Sequence, residues 1–314
     1  MTVRIFRGKD CLNHDVGHQH PECPDRLYAI DDQLLSSGLE MTCEHQDVGP
    51  CPQEYLALAH DPYYVKGIFE QAPKSGLIWV DDDTGMTPIT LSAALQSAGA
   101  GIEAVDWVMA GEDRQAFCAV RPPGHHAEYD SAMGFCLFNN IAVAARYALK
   151  HHGLNRVAIV DFDVHHGNGT ENIVAGDKHI MLCSSFQHPF YPHSGDPVSA
   201  SNVLSVPLDA GTTGEVFREK VRHWFAVLQN YAPELILISA GFDGHAEDHM
   251  GHLRLREDDY KWISAELRKV ADACCHGRMV STLEGGYNHS ALARSVVAHI
   301  KGLQGDSREE TSGA

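Results

Sequence analysis

Four short segments of this sequence set ionisable side chains beside glycine. They are Arg121-Pro122-Pro123-Gly124-His125-His126, Asp161-Phe162-Asp163-Val164-His165-His166-Gly167-Asn168-Gly169, Ala240-Gly241-Phe242-Asp243-Gly244-His245 and Glu284-Gly285-Gly286-Tyr287. Asp163 and His165 are two residues apart, so on extended chain a carboxylate and an imidazole face the same side. Asp243 can complete a trio from another segment. Three oxygen and nitrogen ligands leave a fourth position open for water, the arrangement of a catalytic zinc site rather than a closed structural one. A metal there would lower the pKa of its water and polarise a substrate carbonyl.

His125-His126 follows Pro-Pro-Gly and offers two imidazoles beside that water. One would act as general base and the other as an electrostatic or general-acid group. Such rings need orienting partners on their far nitrogens, and Asp161 and Asn168 are the nearby candidates. Tyr287, behind two glycines that let backbone approach closely, is a candidate donor to a developing oxyanion. Phe135, in Gly134-Phe135-Cys136, and Phe190-Tyr191-Pro192 supply aromatic walls for a narrow apolar passage. His166 reads as a buried, hydrogen-bonded loop residue. His151-His152 ends a helix, where a cation suits the macrodipole.

The elements that must position these groups are legible as an alternation. Short β-branched, apolar runs occupy 115–120, 156–160, 179–184, 235–239 and 278–283. Stretches of period near 3.6 fall between them, at 91–110, 139–151, 215–231, 258–276 and 290–303, with Gly111, Gly153 and Gly277 as C-cap glycines after three of them. This pattern predicts an α/β domain of parallel strands joined by crossover helices, the sheet covered on both faces. The four glycine-rich segments follow four of the strands. Sites in open α/β sheets lie at the carboxyl ends of strands, so the four loops should converge.

Composition agrees with chemistry on an acidic scaffold. The 314 residues carry 24 basic and 42 acidic side chains, a formal charge of −18, which argues against a nucleic-acid binder. No apolar run approaches a membrane span. The nine cysteines form no CxxC pair and no signal peptide precedes them, so free thiols and a cytoplasmic location are expected. Trp107, Trp224 and Trp262 fall on expected helices as core or interface residues, which leaves the oligomeric state open.

With these residues assembled, the chain resembles the zinc-dependent histone deacetylase superfamily, which also holds acetylpolyamine amidohydrolases and acetoin-utilisation proteins. The resemblance runs from His20-Pro21-Glu22-Cys23-Pro24-Asp25-Arg26-Leu27 to Glu284-Gly285-Gly286-Tyr287-Asn288. Asn168, together with the His-Pro-Glu segment, makes it most similar to the class II branch and its bacterial relatives. The resemblance implies an arginase-like fold, a single domain over 1–304 built on a central, mostly parallel eight-stranded sheet, with a polar tail at 305–314. It implies one zinc per chain on Asp163, His165 and Asp243, and His126 as the main proton shuttle. Asp161 would orient His125, and Asn168 would orient His126. Tyr287 would hydrogen-bond the carbonyl and its oxyanion. Phe135 beside Gly134, and Tyr191 with Phe190 as the alternative, would form the acyl-lysine tunnel. Asp83 would hold the substrate backbone at the rim. A potassium ion is implied near Asp161, Asp163, His165 and Ser185.

One departure bears on the substrate. Polyamine deacetylases of class II carry a glutamate gatekeeper in an Asp-Pro-Glu-Gly segment, where this chain has Asp248-His249-Met250-Gly251. Met250 cannot pair with a second ammonium group. The expected reaction is therefore hydrolysis of an acetyl (or longer acyl) amide on lysine in a protein or peptide, by attack of a metal-bound water. Deacetylation of a polyamine or other small acetylamide is the alternative. A silent acyl-lysine binding module is disfavoured because the tyrosine and all zinc ligands are present. A binuclear metallohydrolase would need further bridging carboxylates.

Overall fold

The computed structural model describes residues 3–17, 19–111, 114–195 and 200–305. All of the tail after Gly305 lies outside them. The strands are β1 (Val3–Arg7), β2 (Glu44–Asp47), β3 (Ile78–Trp79), β4 (Gly85–Met86), β5 (Gln115–Ala119), β6 (Val157–Asp161), β7 (Ile180–Gln187), β8 (Val203–Leu208), β9 (Leu235–Ala240) and β10 (Met279–Leu283). The helices are α1 (Asp25–Ser36), α2 (Gln53–Leu56), α3 (Pro62–Gln71), α4 (Thr90–Met109), α5 (Asn140–His151), α6 (Asn168–Val174), α7 (Gly214–Val221), α8 (His223–Tyr231), α9 (Glu257–Cys274) and α10 (His289–Gln304).

Eight strands form one sheet in the order β2-β1-β5-β10-β9-β6-β7-β8, and β3 pairs with β4 in a separate hairpin. Every pairing in the large sheet is parallel. The four central strands, β5, β10, β9 and β6, are buried at every residue, as a sheet covered by helices on both faces requires. Their Val, Ile, Leu and Phe side chains join Trp224 and the apolar faces of α4, α5, α9 and α10 in one core. Each such side chain, fully buried, contributes roughly 1.5–3 kcal/mol. Helix starts are fixed locally. Asn139 Oδ1 accepts from Ala142 N at 3.0 Å ahead of α5, and Asn288 Oδ1 from Ala291 N at 3.0 Å ahead of α10.

Two sequence expectations are corrected. The single helix at 215–231 is two, because Arg222 N bonds Glu219 O, a three-residue step that interrupts the ladder between α7 and α8. Gly153 and Gly277 take left-handed φ of 65° and 72° after their helices, whereas Gly111 is absent from the positive-φ glycines, and Ala110 caps α4 in helical conformation.

The consequence for the site is positional. β5, β10, β9 and β6 are adjacent and parallel, so their carboxyl ends open on one edge. The loops beginning at Val120, Glu284, Gly241 and Phe162 emerge there side by side.

Candidate active site

At that edge Asp163, His165 and Asp243, all buried, each offer a ligand atom, and these atoms lie within 4.8 Å of one another. His165 Nδ1 stands 3.0 Å from Asp163 Oδ1 and 3.2 Å from Asp243 Oδ2. The backbone fixes the remaining oxygens: Gly285 N donates to Asp163 Oδ2 at 2.8 Å, His165 N to Asp163 Oδ1 at 2.8 Å, and Val164 N to Asp243 Oδ1 at 3.0 Å. Asp243 Oδ2 is buried without a hydrogen-bond partner. An orphaned carboxylate oxygen beside a second carboxylate and an imidazole is a cation's donor set, since buried charge persists only when compensated. Gly285 is required as well, because a Cβ there would lie 1.9 Å from Asp243 Oδ2. The residues fit zinc.

The electrostatics carry the same signature. For Asp243, burial and the charge of Asp163 push the carboxyl up to about 6. Burial also opposes ionisation of Asp163, but His125 and His165 outweigh it and hold that carboxyl below its usual range. Burial would lower His165, yet its bond to Asp163 and the nearby Asp243 carboxylate raise it to about 10. Two buried carboxylates thus draw positive charge from whatever lies between them.

The two histidines are made unlike by their partners. His125 Nδ1 is 3.0 Å from Asp161 Oδ2. Burial would lower His125, but Asp161 and Asp163 prevail and raise it to about 10. His126 Nδ1 is 2.8 Å from Asn168 Oδ1, and Asn168 Nδ2 donates to Glu128 Oε1 at 2.7 Å, which fixes the amide's orientation. Asn168 Oδ1 can only accept, so Nδ1 of His126 carries the proton and Nε2 of the neutral ring is left with a lone pair. Burial, with the charges of His125 and His165, holds His126 well below its usual pKa. The ring centroids of the pair are 4.0 Å apart.

Above this floor opens a cavity of about 300 Å³ lined by Phe135, Phe190, Tyr191, Met250 and Tyr287 among others. Gly134 and Phe135 take successive left-handed φ of 59° and 68°, which turns the Phe135 ring toward Tyr287 at 6.1 Å. A Cβ on Gly134 would meet the His126 ring at 2.4 Å. Phe190 stacks on His165 at 5.5 Å, while Tyr191 stands edge-on to His126 at 5.4 Å. Both aromatics therefore face the cavity, where the sequence left them as alternatives. Asp83 lines it too, but its oxygens are engaged by the walls: Oδ1 accepts from Gly134 N at 2.9 Å and Oδ2 from the Tyr191 hydroxyl at 3.1 Å.

Sequence reasoning missed three groups that hold this arrangement. Asp248 Oδ2 accepts from Tyr287 N at 2.6 Å and Asn288 N at 2.8 Å, so it pins the tyrosine loop. Glu284 Oε2 accepts from Gly124 N at 2.7 Å and His125 N at 3.1 Å, which fastens the histidine loop. Burial raises Glu284 to about 7, opposed mainly by the positive charge of His125. Ser184 sits opposite Asp161 in the β6–β7 register, its hydroxyl buried and without a partner. Ser185, the residue the resemblance implies, is buried one position further along. A carboxylate inside a glycine-rich loop was the available signal for the first two. His166 is the bonded loop residue expected, with Ser194 Oγ at 2.8 Å and Glu171 Oε2 at 3.1 Å. His151 stacks on Tyr147 at the end of α5, and His152 bonds Asp106.

Comparison with known proteins places this geometry in a family. The family model for the histone deacetylase domain matches residues 20–303. The chloroplastic histone deacetylase 10 of Oryza sativa subsp. japonica is 39% identical over 324 residues, covering 94% of this chain and 73% of that one. The polyamine deacetylase HDAC10 of Homo sapiens is 34% identical over 315 residues, covering 93% of this chain and 46% of that one. Among solved structures, the crystal structure of the HDA15 HD domain superposes with a TM-score of 0.89 at 31% identity, covering 96% of this chain and 89% of that one.

Proposed function

The chain belongs to the histone deacetylase family, and from that premise we propose that it hydrolyses acetyl, or longer acyl, amides on the ε-amino group of lysine in peptides or proteins. The observation that carries this reading is the cavity of about 300 Å³, walled by Phe135, Phe190 and Tyr191, whose lining includes His126 and, from the Asp163, His165 and Asp243 trio, His165. Its apolar walls suit the methylene stem of an acylated lysine, and they admit the neutral amide more readily than a free ammonium.

A zinc ion held by Asp163, His165 and Asp243 would supply Lewis acidity for activating water and polarising the acyl carbonyl. The chain's own groups do the rest. His126, neutral with its lone pair on Nε2, takes a proton from the attacking water and returns one to the departing amine. Asn168 holds it in that tautomer. His125, paired with Asp161, contributes positive charge near the nucleophile. The Tyr287 hydroxyl donates to the carbonyl oxygen as negative charge grows on it. Burial keeps that phenol protonated, its pKa well above the usual value despite the nearby Arg26. Potassium belongs to the same proposal: the unpartnered Ser184 hydroxyl facing Asp161 is an oxygen a monovalent cation would accept.

Met250 lines the mouth, and a thioether cannot pair with the distal ammonium of a polyamine, which favours a lysine-bearing peptide. The competing reading, a small acetylated polyamine, draws on Asp81, Asp82 and Asp83 near the rim and on the human relative's name. Comparing kcat/KM on acetyl-lysine peptides, longer acyl-lysine peptides and N-acetylpolyamines separates them. We expect an acyl-lysine peptide to lead by at least about tenfold, equivalent to ~1.4 kcal/mol of transition-state preference. An N-acetylpolyamine leading by that margin would overturn the peptide assignment.

A further inference from the structure

The chain carries a second, larger concavity on the far side of the loop that holds Asp243. It measures about 530 Å³ and is lined by Arg218, Arg222, Arg254 and Arg256 with Glu215 and Asp259. Four of the chain's 24 basic side chains thus gather in one recess of a protein whose formal charge is −18. Arg218 is committed, its Nε 2.7 Å from Asp259 Oδ1. Among the described residues, the guanidinium groups of Arg222, Arg254 and Arg256 form no ion pair, although Arg256 N donates to Asp259 Oδ2 at 2.9 Å. These three guanidinium groups border one hollow of an acidic protein. Each would gain from any carboxylate within reach, and Glu215 and Asp259 supply only two for four.

The recess is built rather than loose. Arg254 and Arg256 are two residues apart on extended chain, so both side chains leave on one side. That chain is fastened to its surroundings. Arg254 N donates to Thr212 O at 2.9 Å, Leu255 N to Gly244 O at 3.1 Å and Ala246 N to Leu255 O at 2.9 Å. Arg218 and Arg222 are four residues apart, on one face across the α7–α8 junction, with Trp262 beneath them at 5.4 and 6.0 Å from ring to guanidinium. Two pairs of arginines, from segments far apart in sequence, therefore line one recess.

We propose that this recess binds a phosphate-bearing small molecule carrying at least two negative charges. Guanidinium forks match phosphate oxygens bidentately, and the volume exceeds what a single inorganic ion fills. The segment that supplies Ala246, Arg254 and Arg256 to the recess starts beside Asp243, pins Tyr287 through Asp248 and carries Met250 to the cavity mouth. The assignment is independent of what the deacetylase site hydrolyses.

Titration calorimetry of the full chain with pyrophosphate, against sodium chloride of matched ionic strength, tests it. The expected result is saturable 1:1 heat with pyrophosphate and none with chloride. Affinity should fall at least tenfold in Arg254→Ser/Arg256→Ser and stay within twofold in Lys66→Ser/Lys74→Ser, which removes equal charge elsewhere. If the double arginine variant does not fold, Arg222→Ser on its exposed helix junction serves, with a loss of at least threefold. Absence of saturable heat, or an equal loss in the lysine control, would overturn the proposal.

Discussion

His125 and His126 are neighbours in sequence with opposite electrical characters, and the difference lies in one atom each. Asp161 offers His125 a charged acceptor, while Asn168 offers His126 a neutral one whose orientation Glu128 fixes. The spacing after one strand end made Asp161 and Asn168 legible as candidate partners, and the family resemblance implied which of them serves each histidine. Asp248 and Glu284 were less legible, since their work is done on backbone N–H groups, and sequence carries no mark of which amide a carboxylate will meet. The expectation at this scale concerns the two groups assigned to the reaction itself. Tyr287→Phe and His126→Ala should each lower kcat/KM by roughly 10²–10⁴-fold on an acyl-lysine peptide, with bound zinc unchanged. Wild-type turnover in either variant, measured beside its metal content, would remove that residue from the mechanism.

Among the elements, the five strands read from apolar runs are present within a few residues, and four of them lie at the sheet's centre, where burial on both faces makes the sequence continuously apolar. Three strands escaped. β2 is largely exposed, and β8 contains Pro207 at the sheet edge, so neither has a clean signature. β1 is a five-residue run interrupted by Arg4 and closed by Arg7. The short hairpin of β3 and β4 was equally silent, yet it carries Asp83 to the cavity mouth. There Asp83 joins the two walls by accepting from Gly134 N and from the Tyr191 hydroxyl. With both oxygens bonded, its first effect is on the bore of the passage. Tyr191→Phe should therefore raise KM several-fold for peptide and small acetylamide substrates alike, with kcat within about twofold. A KM rise confined to peptides would instead make Asp83 a contact for the substrate backbone.

For the molecule as a whole, histidine count misleads as a guide to chemistry. Of 21 histidines, three are assigned to the proposed reaction, and others are buried as neutral packing groups. His299 lies between Ser264 Oγ at 2.6 Å and Ser281 Oγ at 2.8 Å, and burial lowers it to about 3; His60 is lowered to about 4 for the same reason. The unfolded chain protonates such a ring near pH 6.5 while the folded chain does not, so the unfolded state binds more protons below that pH. Stability should then fall as pH drops from about 6.5 toward 4 for His60 and toward 3 for His299, by roughly 1.4 kcal/mol per unit for each ring. Urea unfolding at pH 7 and pH 5 should show a loss smaller by about 2 kcal/mol in His299→Gln than in wild type. Equal losses would mean that His299 is not the neutral group described. The acidic balance has a similar lesson: it suited a carboxylate-rimmed cavity, but hid a recess where four arginines from two segments meet. Among the described residues, no helix is long and apolar enough to cross a membrane.

All of this rests on Asp163, His165 and Asp243 holding a hydrolytic metal at the closed end of the passage, with Asp243 Oδ2 left unbonded for it and Gly285 leaving the space. Elemental analysis of the purified chain tests that directly. About one zinc per chain, retained through gel filtration, is expected. Zinc well below that, with no gain on reconstitution, would contradict it.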